Sequence, residues 1–378
     1  MKNICLLLCA FLFCNFNTPL DKTPTSNQEP KPLEIGATAP DFTLKGTDNK
    51  LYTLQSFAAS KVLVIVFTCN HCPTAQAYEE RIKQLTTDYT AKGVQIVAIS
   101  PNDPLSLRLD ELGYSDVGDG FEDMQVRAEH RQFNFPYLYD GDTQEVSNKY
   151  GPAATPHVFI FDAKRILRYS GRIDDVEKPT GKPTRFDTRN AIEALIAEKP
   201  VPLAKTKTFG CSIKWAEKRA IATKEKDEWA KEPVTLEQIN DEGVKTLLQN
   251  KSDKLVLINV WATWCGCCVT ELPDFVEINR MYRQRDFEFI TISTDKLDKK
   301  DRALKTLTRV QASSKNYIYS DNDVYKLIEL VDPEWQGALP YTLLIEPNGK
   351  VVYRTQGPII PLDMKQMIVD NPFIQRVY

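Results

Sequence analysis

Residues 255–271 read LVLINVWATWCGCCVTE: an apolar run interrupted only by Asn259, three cysteines within four positions, then a polar stretch. An apolar run of that length, rich in Val and Ile, suits a strand covered on both faces. The residues after the cysteines predict a helix through Val276 and Met281, and FEFITIS at 287–293 predicts a second buried strand. Strand, helix and strand in that order imply a right-handed parallel unit. LPYTLLIEPNGKVVYRTQG at 339–357 closes the pattern with a hairpin turning at Glu346-Pro347-Asn348-Gly349.

The first half of the 378-residue chain repeats this order. A short hairpin turns at Lys45–Asn49, and KVLVIVF (61–67) then reads as a central strand. FTCNHCPTA (67–75) carries Cys69 and Cys72. A helix follows over Ala75–Tyr89, with Ala77, Tyr78, Ile82, Leu85 and Tyr89 at helical spacing. GVQIVAIS (93–100) is the next strand, and TPHVFIFDAKRILRYSGRI (155–173) a hairpin around Asp162-Ala163-Lys164. The duplication predicts two tandem α/β domains, each a central mixed sheet flanked by helices. Expected boundaries are 34–215 for the first domain, 216–233 for a linker helix in a Lys/Glu-rich stretch, and 234–378 for the second.

Hydrophobic content of 42% and charged content of 26% are ordinary for a soluble globular protein. Net charge is −3 with the basic residues dispersed, which argues against nucleic acid as a partner. Residues 1–16, MKNICLLLCAFLFCNF, place Lys2 before an apolar core too short to span a bilayer, the pattern of an export signal. Residues 17–33 are Pro/Thr/Asn-rich, and a flexible tether is expected there. Cys14 is a candidate lipid-attachment cysteine, although bulky Phe13 stands before it. The expectation is an exported protein, periplasmic or held to the membrane by a lipid at Cys14 alone.

Of nine cysteines, Cys5, Cys9 and Cys14 fall in the signal, and Cys69, Cys72, Cys211, Cys265, Cys267 and Cys268 remain. Five of those six lie in two tight clusters, which points to redox or metal chemistry rather than structural staples. A thiol attacks a disulfide only as thiolate. The free N–H groups and dipole of a helix N-terminus favour negative charge on a sulfur placed there. Cys69 and Cys265 are expected at such junctions, with Cys72 and Cys268 one turn later and near enough to close a disulfide. His71 adds positive charge beside Cys69 and would make its disulfide more oxidising. Each cluster also has a proline ahead of the closing hairpin, Pro156 and Pro340.

Two cysteines with an imidazole are also metal ligands, so Cys69, Cys72 and His157 form a rival copper or zinc reading. A fourth ligand is not visible and the second half has no histidine, so no metal and no cofactor are expected. Cys211, in FGCSIKW, reads either as packing beside Ile213 and Trp215 or as a third redox partner that resolves a Cys69 disulfide.

WATWCGCCVTELP (261–273) resembles the active-site stretch of thioredoxin-like thiol–disulfide oxidoreductases of the TlpA-like branch, over Pro233–Tyr378. The resemblance implies a thioredoxin fold, attack by Cys265, resolution by Cys268 and proton handling by Glu271. It also implies Trp261 and Trp264 packed around the cysteines and a cis proline, Pro340, against them. The family usually has proline where Cys267 stands. Leu33–Trp215 resembles a peroxiredoxin-like redoxin of the AhpC/TSA type through APDFTL, FTCNHCP, ATPHVFIFD, YSGRIDD and GCSIKW. That implies a second thioredoxin fold with Cys69/Cys72 as the redox pair and Pro156 cis. A peroxidase is the rival there: Cys72-Pro73-Thr74 matches the end of the Pro-x-x-x-Thr-x-x-Cys frame, but Thr68 is displaced by one and Ile65 replaces the proline. The partners implied are disulfide-containing client proteins and a thiol electron donor; a redox-inactive docking domain is the non-enzymatic alternative for the first half.

Overall fold

The computed structural model describes residues 29–178, 181–321 and 323–375, so the expected export signal, Cys14 and most of the tether lie outside the described residues. In the first half, strands β1 (Thr43–Gly46), β2 (Leu51–Thr53), β3 (Val62–Phe67), β4 (Val94–Ser100), β5 (Tyr137–Tyr139), β6 (His157–Phe161) and β7 (Leu167–Gly171) form one sheet in the order β2-β1-β5-β4-β3-β6-β7. β3, β4 and β5 run parallel, and β1 and β6 lie antiparallel to their neighbours. Helices α1 (Pro73–Tyr89), α2 (Phe121–His130), α3 (Glu145–Tyr150) and α4 (Asp187–Ile196) cover the two faces.

The side-chain period of two in β3 explains why its whole length is apolar. Val62, Val64 and Val66 pack against Tyr78, Ile82, Leu85 and Ile192 on one face, while Leu63, Ile65 and Phe67 pack against Phe42, Phe57 and Tyr150 on the other. Each such side chain, fully buried, contributes about 1.5–3 kcal/mol relative to exposure.

Helix α5 (Arg219–Trp229) leads into the second half. There β8 (Glu237–Ile239), β9 (Leu255–Trp261), β10 (Phe287–Ser293), β11 (Lys315–Tyr319), β12 (Tyr341–Glu346) and β13 (Lys350–Gln356) form a sheet in the order β13-β12-β9-β10-β11-β8. Helices α6 (Asp241–Gln249), α7 (Gly266–Tyr282), α8 (Lys300–Arg309), α9 (Val324–Val331) and α10 (Pro361–Asp370) surround it. Leu255 and Leu257 face α7 and α10, and Val256, Ile258 and Val260 face α6 and α9. The β12–β13 turn places Asn348 at φ 67° and Gly349 at φ 78°, left-handed positions that Asn and Gly adopt at least cost. Each half is thus a thioredoxin-like α/β fold, a mixed sheet between helices.

The halves are joined by more than the linker. Leu112 lies in the core cluster of the second half with Phe275, Ile278, Met281 and Tyr282. The Tyr282 hydroxyl donates to Ser115 O at 2.8 Å, Arg285 Nη1 donates to Gly113 O at 2.6 Å, and the Arg285 guanidinium lies 3.6 Å from the Tyr114 ring centre. The loop before α2 in the first half is therefore docked on the C-terminal end of α7.

Candidate active site

In the second half β9 ends at Trp261, and α7 begins five residues later at Gly266 with Cys265 as its N-cap. Cys265 Sγ accepts from Cys268 N–H at 3.2 Å, one of the first-turn amides that has no partner within the helix. Cys265 and Cys268 are joined in a disulfide with their Cα atoms 5.3 Å apart. Cys267 is a free, exposed thiol whose Sγ lies 3.5 Å from Cys265 Sγ and 3.9 Å from Leu339 O. The Leu339–Pro340 bond beside it is cis.

Glu271 follows Cys268 by three residues, which puts both on one face of α7. It is only 4% exposed. Burial raises its carboxyl to about 7, against the Ile359 N–H and the Asn259 side-chain amide, each 3.1 Å away, which favour the charged form. Asn259 Oδ1 has no partner in the described structure. Turning the amide over would present that oxygen to a protonated Glu271, so one side chain can serve both states of the carboxyl.

The expected tryptophan packing is half corrected. Trp261, on the buried strand, packs with Cys265, Cys268 and Leu272. Trp264 does not: it is 68% exposed, because it lies in the turn just before the N-cap, where neither the sheet nor α7 covers it. A large aromatic ring thus stands in water beside the disulfide.

The first half differs from its expectation in two ways. Cys72, not Cys69, is the N-cap of α1, because Pro73 has no N–H to lose and a φ fitted to the first helical position, so the helix starts there rather than at Ala75. And Cys72 is bonded to Cys211 from the extension after α4, with Cα atoms 5.9 Å apart, rather than to Cys69. Cys69 is a free thiol, 3% exposed, 3.2 Å from the Thr155 hydroxyl. Cys211, expected either as packing or as the partner that resolves a Cys69 disulfide, is bonded to Cys72 instead and lies in contact with Cys69 and Ala75. Thr155–Pro156 is cis.

His71 lies beside Cys69 and is fully enclosed. Burial works against its imidazolium, but the charge of Asp119, the neighbouring Cys69 and the hydrogen bonds to both outweigh that and push it up to about 10. Asp119 was not anticipated. It accepts from the backbone N–H of Asn70 (2.9 Å) and His71 (3.1 Å), from His71 Nδ1 (2.6 Å) and from Asn102 Nδ2 (2.7 Å). Although burial opposes its charge, the His71 imidazolium and these donors hold Asp119 below the usual carboxylate range. It lies 48 residues from His71, in a loop whose only sequence cue is the Gly118-Asp119-Gly120 turn.

His157 leaves the metal reading. Its Nδ1 accepts from Ala153 N–H at 3.1 Å and its Nε2 contacts Ser170 Oγ at 3.0 Å; burial, with a contribution from Lys205, drops its pKa to about 3. Among the described residues, Cys69, His71 and Asp119 do bring ligand-type atoms within 4.8 Å of one another, as do Cys265, Cys267 and Cys268. In the first set His71 Nδ1 is already committed to Asp119, and in the second two sulfurs are bonded to each other.

The two disulfides are far apart. Gln76 Nε2 donates to Asn70 O (2.8 Å) and Tyr114 O (3.1 Å), tying the first site to the loop docked at Tyr282. Cys265 lies at the opposite end of that helix, whose 17 residues span about 25 Å. In this arrangement neither site reaches the other.

The AhpC/TSA family model matches residues 35–170 and 230–354, together more than half of the chain. The chain belongs to the AhpC/TSA family and carries two redoxin regions in tandem. Among curated proteins it is similar to thiol-disulfide oxidoreductase ResA of Bacillus thuringiensis, 31% identical over 137 residues, 36% of this chain and 75% of the relative. It is also similar to thiol:disulfide interchange protein DsbE of Tatumella citrea, 28% identical over 174 residues, 43% of this chain and 78% of the relative. Among solved structures, a hypothetical protein from Sinorhizobium meliloti is 32% identical and covers 49% of this chain and 97% of its own, with a TM-score of 0.44. An uncharacterised conserved protein from Geobacillus kaustophilus is 37% identical over 50% of this chain and 94% of its own, with a TM-score of 0.43.

Proposed function

We propose that the chain exchanges disulfides with client proteins at two separate sites, one in domain 34–215 and one in domain 234–378, with 216–233 as the linker. It is a thiol–disulfide oxidoreductase. The observation that carries this reading is the Cys265–Cys268 bond at the N-cap of α7, beside exposed Trp264. In the reduced enzyme, Cys265 attacks a client disulfide and forms a mixed disulfide. Cys268 then attacks Cys265 Sγ and releases the client thiol, and a donor thiol restores the pair. Glu271, near half-ionised at neutral pH, takes the Cys268 proton as that sulfur becomes the nucleophile. Trp264 offers a flat apolar surface against which an extended client can lie. The apolar stretch after Lys2, read from sequence as an export signal, supports a location outside the cytoplasm.

The test is reduction of insulin disulfides by the full chain with dithiothreitol as donor. Cys265→Ser should remove the second site's share of the activity and leave that of the first; a rate unchanged by Cys265→Ser would overturn the reading of the second site.

One observation favours peroxide reduction by the first half: Cys72 sits at a helix N-terminus and is paired with a cysteine from a separate extension. Hydrogen peroxide consumption lost in Cys72→Ser but kept in Cys265→Ser would select that second reading.

A further inference from the structure

The three sulfurs of the first half meet around one residue, Thr155. Its hydroxyl lies 3.2 Å from Cys69 Sγ and its carbonyl oxygen 3.4 Å from Cys72 Sγ. Its backbone exchanges two hydrogen bonds with Cys211: Thr155 N to Cys211 O at 3.0 Å, and Cys211 N to Thr155 O at 3.3 Å. This is an isolated antiparallel bridge, made by a segment that belongs to neither sheet. Gly210 measures how closely the segment approaches. Its φ is +144°, and a methyl group there would stand 2.0 Å from Thr155 O, so the seat accepts glycine alone. Phe209 packs on the Tyr78 ring at 6.3 Å between centres, which anchors the same segment on α1.

The second half offers the same backbone edge uncovered. Leu339 precedes cis-Pro340 as Thr155 precedes cis-Pro156, yet among the described residues no backbone hydrogen bond from another segment reaches Leu339. One site is open, and the other is filled by its own chain through a disulfide.

We propose that the segment around Gly210-Cys211 is a resident mixed-disulfide occupant of the first site, seated where that site takes an extended cysteine-bearing chain, and that Cys69 displaces it. This rests on the disulfide-exchange reading of the first half. In the step, the Cys69 thiolate attacks Cys72 Sγ. The Cys69–Cys72 bond forms, the Cys72–Cys211 bond breaks, and Cys211 leaves as a thiolate that takes a proton from the medium. One disulfide replaces another, so neither oxidant nor reductant is consumed. The His71 imidazolium, fixed by Asp119, is the counter-charge beside the attacking sulfur. With Cys211 released, the Thr155 edge is free to pair with a client strand, and the client thiol meets the Cys69–Cys72 disulfide.

The experiment uses the oxidised full chain, held in a trace of glutathione, quenched with N-ethylmaleimide and mapped by mass spectrometry without reduction. The wild type should show both Cys72–Cys211 and Cys69–Cys72 linkages. Cys69→Ser should show Cys72–Cys211 alone with Cys211 unlabelled. Gly210→Ala, whose methyl group cannot fit against Thr155, should raise the ratio of Cys69–Cys72 to Cys72–Cys211 about tenfold or more. Cys211→Ser should yield Cys69–Cys72 outright, which keeps the test independent of how Gly210→Ala folds. A wild type that yields Cys72–Cys211 alone, or a Gly210→Ala ratio within about twofold of wild type, overturns the displacement. If instead neither linkage can be reduced and re-formed in glutathione buffers, the disulfide-exchange reading of the first half itself fails.

Discussion

Replacing Glu271 by Gln removes one titratable proton from the interior of the second half and little else. The amide keeps the carboxyl's shape, and Asn259, whose Oδ1 is unpartnered, can turn over to accept from it. Burial raises the Glu271 carboxyl from 4.5 to about 7. The folded protein therefore binds this proton more tightly than the unfolded chain does, and folding takes it up between those two values. The stability it contributes is complete below about pH 4.5 and is lost as pH rises through about 7. At full strength the gap corresponds to about 3 kcal/mol; since water screens the mouth of the site, about 2 kcal/mol is the working figure. Glu271→Gln cannot ionise, so its stability should match wild type near pH 4.5 and exceed it by about 2 kcal/mol at pH 8. Urea denaturation of both proteins at several pH values measures the difference directly, and other titrating groups cancel in the comparison. The same variant should lose the pH dependence of insulin reduction centred near neutrality, because nothing then accepts the Cys268 proton. Parallel stability curves across this range would refute the assignment of the proton to Glu271.

Asp119→Asn removes the partner that keeps His71 charged. The His71 side of that pair contributes stability that is full below pH 6.5 and is lost as pH rises through about 10. The Asp119 side, held below the usual carboxylate range, is lost only in acid as its own lowered pKa is passed. The variant should therefore cost about 3 kcal/mol near pH 7 and move the His71 NMR titration down by about two pH units; an unmoved His71 signal contradicts the pairing. Tyr282→Phe removes the hydrogen bond to Ser115 O and leaves a buried carbonyl unpaired, which should cost about 1–2 kcal/mol and speed protease cleavage in residues 107–119. Unchanged cleavage would mean the loop is not held from the second half. Trp264→Ala should leave stability within about 0.5 kcal/mol while raising KM for a disulfide-bonded client about threefold or more. A large stability loss would show that the ring is packed, contrary to its 68% exposure.

The sheets were legible because their central strands are buried on both faces, which writes them as short, predominantly apolar and β-branched stretches. Leu255–Trp261 and Phe287–Ser293 match the strands read from sequence residue for residue, and the cysteine cluster of the second half sits at the strand–helix junction. The first site was harder for a local reason and a distant one. The local signal was present: Pro73 after Cys72 marks the N-cap, and counting cysteines from the strand end instead shifted the motif by one turn. The distant parts carry no pattern. Cys211 lies 139 residues from Cys72 in an irregular extension, and Asp119 reaches His71 from a loop. Partners brought together by tertiary folding leave no periodicity to read. Trp264 failed for another reason, since a turn residue is covered only if something else happens to lie over it.

The most direct measurement is a redox titration of the full chain in glutathione buffers, with alkylation and peptide mapping of every described cysteine at each step. The account predicts two separate two-electron transitions, one converting Cys265 and Cys268, the other involving Cys72 with Cys211 or Cys69, each reversible and each unaffected by serine at the other site. Cysteines of either cluster that stay in one state from strongly reducing to strongly oxidising buffer would contradict it.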